Sequence, residues 1–350
     1  MKKTIIFIIL FSLIACKNQT EKKQLVSTEN DAVVEIQYSE NELISFLDSI
    51  GQINPDSWVE ELLFIVDSVL TYQTSLNCEL TAQDFEKLKT ALREDRIDVK
   101  FAKHIFPDLT IDSCFISASA EEYPIFVFSF DNNEDDFEKF AIQVGYTEWE
   151  NDVYFFCGKK IIAKHSIYHR YGFKPKHFKN ENNQTVIFYT VNYGSGSGIW
   201  WHQFNFYQYN KDQLVPVLTE IQNINLQFTW SIRAYWIESE IVNERPLQLK
   251  FVYNNQFFYR SETDFFHKDF INDSTIVTYY IDTQSGKYIP NFNDTKQNRN
   301  KLTSYFHSDN ELLFVNAHYG LFKNRLNKND TIMRKSILDY LNELKNYFER

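Results

Sequence analysis

Residues 185–209 read TVIFYTVNYGSGSGIWWHQFNFYQY. Two runs rich in β-branched and aromatic residues, 185–193 and 199–209, stand on either side of a glycine–serine stretch, the pattern of two strands joined by a turn. The pattern recurs downstream. Over 226–238, Phe228, Trp230, Ile232, Ala234 and Trp236 alternate with Thr229, Ser231 and Arg233, so the first set is expected inside, facing helices or a second sheet. Leu247, Leu249, Phe251 and Tyr253 keep the two-residue period up to an expected turn at Asn254-Asn255, and strands over 275–282 and 287–289 flank Gln284-Ser285-Gly286. Upstream, 123–130 is an aromatic–aliphatic run, and 153–157 with 160–165 read as a hairpin about Gly158-Lys159. Strands joined by short polar turns predict an antiparallel meander, open or rolled, with one wetted face.

Helical spacing brackets this strand-rich region. Leu43, Phe46, Leu47 and Ile50 share one face, with Gly51 as the expected stop. Asn54-Pro55-Asp56 opens a second helix carrying Trp58, Leu62, Ile65, Val66 and Val69, and a third runs from Thr81 with Phe85, Leu88 and Leu92. Phe137, Phe140, Ala141 and Val144 predict a short helix inside the strand region, stopped by Gly145. After Asp330, Ile337, Leu341, Leu344 and Phe348 give a last amphipathic helix. The fold class expected is therefore α+β: a meander over 113–292 between helical regions at 40–106 and 294–348, all within a single body over 38–350. No fixed-period repeat is present, which excludes a solenoid.

The N-terminus carries an address. Met1-Lys2-Lys3-Thr4 precedes the apolar stretch 5–15, too short for a membrane-spanning helix of roughly twenty residues and matching the n- and h-regions of a secretion signal. The residues Leu13-Ile14-Ala15-Cys16 resemble the lipobox of bacterial lipoproteins. That resemblance covers sixteen residues only; it implies removal of 1–15 and lipidation of Cys16, anchoring the chain to a membrane. The alternative is an ordinary cleaved signal with an incidental cysteine. Lys17 stands where an aspartate would resemble an inner-membrane retention signal, so the outer membrane is favoured if the envelope has one. Residues 16–37 are mostly polar, without helical period, and read as a tether.

The formal charge is −11, and loss of Lys2 and Lys3 takes it to −13. An acidic body argues against nucleic acid as a partner. With 32 Phe and 21 Tyr, the chain can fill a large core. Cys78, Cys114 and Cys157 remain besides Cys16. Cys78 with Cys114 is a candidate bridge, and Cys157, alternating with Val153 and Phe155, is expected to be buried as a small hydrophobe.

Motifs that carry chemistry are few, and none calls for a cofactor. The stretch Tyr193-Gly194-Ser195-Gly196-Ser197-Gly198 is neither a nucleophile elbow nor a phosphate loop. Beside Trp200, Trp201 and His202 it makes a candidate ligand site, with Tyr193, Gly194, Ser195, Gly196, Trp200 and Trp201 lining it: glycines let a ligand reach the backbone and rings cover it. Since 200 and 201 point oppositely on a regular strand, one tryptophan would join Tyr193 at a shallow groove. The competing reading is a plain hairpin loop. His165 and His169, four apart, are candidate ligands of a zinc ion, with His177 or a carboxylate completing the set; on a strand they share a face with Ile161, Ala163 and Ile167, which fits core histidines equally. The acidic run 131–136 lacks the glycine and glutamate of a calcium loop and is expected to complement the start of the Phe137 helix. These readings predict an exported, lipid-anchored envelope protein with a binding or interaction role toward a glycan, peptide or protein. The alternative is a hydrolase of envelope or extracellular polymers, metal-dependent through His165 and His169.

Overall fold

The structure, a computed structural model, describes residues 36–56, 73–109, 120–130, 137–145, 150–168, 173–196, 199–226, 233–260, 265–291 and 311–349. Residues 38–350 form one compact unit. The signal stretch, Cys16, the Trp58–Val69 helix face, Cys114 and the acidic run 131–136 lie outside the described residues. No described helix is long and apolar enough to cross a membrane.

The fold is α+β, as the periodicities predict, with two antiparallel sheets. Six strands make the first: β1 (Gln73–Glu79), β2 (Arg96–Asp98), β3 (Glu122–Ser129), β4 (Lys139–Val144), β5 (Glu150–Cys157) and β6 (Lys160–Tyr168), in the order β1-β6-β5-β4-β3-β2. The second is an uninterrupted eight-stranded meander: β7 (Lys176–Lys179), β8 (Thr185–Gly196), β9 (Ile199–Asn210), β10 (Gln213–Leu226), β11 (Arg233–Glu244), β12 (Leu247–Arg260), β13 (Phe265–Ile281) and β14 (Tyr288–Asn291). The described helices are α1 (Glu40–Gly51), α2 (Ala82–Glu94), α3 (Val99–Ile105), α4 (Glu311–Ala317), α5 (Tyr319–Leu326) and α6 (Thr331–Phe348).

Local chemistry sets the helix starts. Ser39 and Glu42 form a reciprocal capping box on α1, Thr81 caps α2 by accepting from Asp84 N–H at 3.1 Å, and Asp330 caps α6 by accepting from Met333 N–H at 3.0 Å. Gly51 does not end α1 through a left-handed turn. It is the last helical residue, followed by Gln52 in right-handed geometry, and its lack of a side chain admits the Tyr319 ring: a Cβ there would lie 2.5 Å from Tyr319 Cδ2. On α6 the buried stripe stops at Leu344, and Phe348 is exposed.

Three buried clusters stack the layers. Leu88, Leu92 and Phe101 of α2 and α3 pack on Phe140, Tyr154 and Phe156 of the first sheet. The other face of that sheet, including Ala141, Val153, Phe155 and Ala163, packs on Ile187, Tyr189, Tyr207 and Tyr209 of β8 and β9. Cys157 adjoins this layer, partly buried. The third cluster joins Leu43, Leu47, Phe314, Ile337 and Leu341 of the helices to Phe206, Ile237, Leu249, Phe251 and Val277 of the meander.

Several expectations are corrected. The segment expected as a Phe137 helix is strand β4. Every residue from Phe140 to Gly145 is buried because both faces of β4 are covered, and an apolar run buried on both sides loses the two-residue period that separates strand from helix. The acidic run therefore has no helix there to complement. The 226–238 strand is two strands in succession: Leu226 pairs with Tyr235 and Asn223 with Glu238, so the chain reverses between β10 and β11. That reversal resets the faces. Ile237 is buried among the core residues, whereas Trp236 shares a face with exposed Glu238 and Glu240. Asn254-Asn255 is no turn: β12 runs through it to Arg260, with a bulge between Asn255 and Gln256.

The meander is rolled, not open. β10 and β11 pair only over Asn223–Leu226 and Tyr235–Glu238, and beyond that they part. At the fork Ser239 Oγ donates to the Ile221 carbonyl. The β11–β12 turn reaches back over the far edge, where Arg245 Nε donates to the carbonyl of Lys179 at the end of β7. β14 likewise lies against β10.

Candidate functional site

Register brings together residues that are far apart in sequence. Ser195 of β8 pairs with Trp200 of β9, Trp200 with Asn225 of β10, Asn225 with Trp236 of β11, Trp236 with Asn254 of β12, and Asn254 with Asn272 of β13. Directly paired residues project to the same face, so one transverse row alternates indole and amide. With strands about 4.8 Å apart, Trp200 and Trp236 stand about 10 Å from each other with Asn225 between. The next row on the same face is Asn192, His202, Asn223 and Glu238. Trp200 Nε1 donates to Asn223 Oδ1 at 2.5 Å, Asn223 Nδ2 to Glu238 Oε1 at 3.4 Å, and Asn254 Nδ2 to Asn272 Oδ1. Asn225 Oδ1 and Asn254 Oδ1 are buried with no protein donor. Each such acceptor costs about 1–3 kcal/mol unless a donor reaches it.

Along the strands this face runs into an open cleft of about 900 Å³ at the fork between β10 and β11. Thr190, Phe204 and Gln222 continue β8, β9 and β10 past the second row, and Lys174, Lys176 and Arg245 stand at the far side. Burial lowers the pKa of His202, and a hydrogen bond with Gln222 opposes that shift. Glu220, paired with Phe204, has its carboxyl in desolvated surroundings that lift it to about 7, against the pull of the Ile221 N–H at 3.3 Å and the nearby Tyr279 hydroxyl. Tyr279 is itself pushed up by burial and by Glu220. The arrangement offers rings, paired amide donors and acceptors, and one carboxyl that keeps a proton near neutrality.

A second open cleft, about 960 Å³, lies between β1 and the β9–β10 turn. The Lys160–Asp212 ion pair at 3.0 Å and the Gln73 Nε2 bond to the Leu214 carbonyl at 2.6 Å cross it.

The predicted site residues fare unevenly. Tyr193, Gly194, Ser195 and Gly196 belong to β8 itself, and Gly196 pairs with Ile199, so the described part of the glycine–serine stretch is strand. Trp200 is partly buried and belongs to the alternating row. Tyr193 does not join it there, because its partner is Trp201, which pairs in turn with Ile224. His165 is 1 % exposed in the layer between the sheets, its Nδ1 2.7 Å from Tyr189 Oη and its ring 4.5 Å from those of Phe155 and Tyr207. Burial drops its pKa to about 3. That is a core histidine; His169 lies outside the described residues, and among the described residues no three potential metal ligands cluster. Cys78 is a free thiol.

Sequence reading missed Asn223, Asn225, Trp236 as an outward ring, and Asn254. It placed no strand over Gln213–Leu226, since Pro216 and bulges at Pro216/Leu218 and Ile221/Asn223 break the alternation there. The asparagines at 223 and 225 were the available signal: two amides at strand spacing between isoleucines. Comparison with family models, with curated proteins and with solved structures finds no match.

Proposed function

We propose that the chain is an exported envelope protein, lipid-anchored at Cys16, whose folded body holds a polar ligand in the groove over the eight-stranded meander without altering it chemically. The row Trp200, Asn225 and Trp236 carries this reading, because it sets two partly buried rings about an amide on the face that runs toward an open cleft. The lipobox resemblance supports the anchor. Two experiments test the parts separately. Cys16→Ser should move the protein from the membrane pellet to the soluble fraction, and an unmodified Cys16 by mass spectrometry in membrane-extracted protein would remove the anchor. Purified body should gain thermal stability with a saturating groove ligand, by about 2.7 kcal/mol at a hundredfold excess over Kd. A broad panel of sugars, peptides and small acids that shifts nothing would remove the binding role.

A hydrolase of envelope polymers is the second reading. Glu220 favours it, as its carboxyl, raised to about 7 by burial and paired with Phe204 of the cleft lining, is suited to donate a proton. Release of shortened products from a bound polymer, lost in Glu220→Gln, would establish it over simple binding.

A further inference from the structure

We propose that the ligand of this groove is an unbranched oligosaccharide, seated on Trp200 and Trp236 with a hydroxyl on the amide of Asn225 between them. The inference rests on the binding role above and names its ligand class.

Three observations converge. First, the two indoles share one face about 10 Å apart, a separation that sugar rings of about 5 Å repeat span with one unit over Asn225. An indole offers a broad apolar face to the C–H side of a sugar while its N–H stays engaged, and Trp200 Nε1 is already held by Asn223 at 2.5 Å. Second, the polar groups between the rings are amides, which donate and accept side by side as vicinal hydroxyls require. Asn225, partly exposed, stands between the rings, whereas Asn223 is taken up by Trp200 and Glu238, and Asn254, 7 % exposed, is bonded to Asn272.

Third, the tryptophan row, unlike the fork where β10 and β11 part, disfavours a peptide. An extended peptide draws its affinity from an open strand edge, where backbone N–H and C=O groups are free. The row crosses β9, β10, β11 and β12 where each is paired on both sides, so the backbone there is already engaged. Recognition on this face falls to side chains. Phe204, four residues along β9 from Trp200 or about 13 Å, lines the open cleft at the fork, so a longer chain that turns along β9 past Trp200 meets that cleft.

The test uses the full chain with cello-, chito-, laminari- and mannotetraose as probes, read by tryptophan fluorescence and by thermal shift. At least one tetraose should bind, and Trp200→Ala and Trp236→Ala should each weaken it about tenfold, as expected for loss of one stacked ring. Trp200→Phe and Trp236→Phe, which keep a ring, should retain most of the affinity, and they keep the test sound should an alanine variant fail to fold. Asn225→Leu should weaken binding while leaving the melting temperature of the free protein unchanged or higher. Lys160→Ala, in the other cleft, should leave binding unchanged. Failure of all four tetraoses to bind overturns the assignment, as does sugar binding that ignores both tryptophans. A peptide or small acid bound in this groove instead would overturn the sugar and leave the binding role standing.

Discussion

Acidification is expected to unfold this body through His165, and the size of the effect follows from its surroundings. The ring is 1 % exposed between Phe155 and Tyr207, and burial holds its pKa near 3, so the folded state keeps it neutral. In the unfolded chain the ordinary value of 6.5 applies. Between those two values the unfolded state binds one more proton, so stability falls with pH by about 1.4 kcal/mol per unit. The contribution is intact above pH 6.5 and lost progressively toward 3, about 4–5 kcal/mol in all. Glu220 acts with the opposite sign. Its folded value near 7 lies above the ordinary 4.5, so it stabilises fully below 4.5 and loses that contribution as the pH rises to 7. From 4.5 to 6.5 the two slopes nearly cancel, and below 4.5 the His165 slope stands alone. Urea melts of wild type, His165→Phe and Glu220→Gln from pH 7.5 to 3.5 test this. His165→Phe should be weaker at pH 7, by about 0.5–1.5 kcal/mol for the lost bond to Tyr189, yet shallower below pH 4.5. Glu220→Gln should expose the full slope from 6.5 downward. Surface carboxylates such as Asp48 and Asp282, lowered by hydrogen bonds, also favour the folded state at neutral pH, and subtracting the wild-type curve removes them. Identical acid slopes in wild type and His165→Phe would refute the reasoning.

Other perturbations test the packing. Gly51→Ala should destabilise by about 1 kcal/mol, because overpacking of about 1–3 kcal/mol against a Tyr319 ring hydrogen-bonded to Asp48 at 2.8 Å outweighs the helix propensity gained; a more stable variant in thermal melts would show that the ring yields freely. Leu249→Ala should cost about 2–5 kcal/mol, whereas Ile276→Ala, at a half-exposed position on the opposite face, should cost under about 1; equal losses in urea melts would mean that the register of β12 on β13 is wrong. Thr81→Ala should cost about 1 kcal/mol through the lost α2 cap, and Thr81→Ser should restore it.

Much of the fold was readable wherever one short-range rule governed a segment. The α1, α2 and α6 helices announce themselves by a capping side chain followed by one apolar stripe, and the Gly158 and Gly286 turns by glycines at positive φ between alternating runs. Failures came where two surfaces compete for one strand. β4 reads as a helix because both its faces are covered, and β10 goes unseen because its bulges shift the alternation at the point where the sheet rolls. Between Leu226 and Arg233 the sequence has no Gly, Pro, Asn or Asp, so composition does not announce the change of strand.

The candidate site divides the same way. Trp200 stood out in the sequence because a tryptophan pair beside a glycine-rich turn is conspicuous, and the buried His165 was legible as a histidine on an apolar face. Trp236, Asn225 and Asn254 became neighbours of Trp200 only through the register of four strands. By itself the sequence determined the α+β class, the helix caps and stripes and the period of the meander, and it carries the run Leu13-Ile14-Ala15-Cys16 that resembles a lipobox, since each depends on residues within a few positions of one another. Which residues share a face across the meander, where the sheet rolls, and which cleft the roll opens were decided only by tertiary structure, because strand pairing joins residues by register and a shift of one position turns every side chain to the other side.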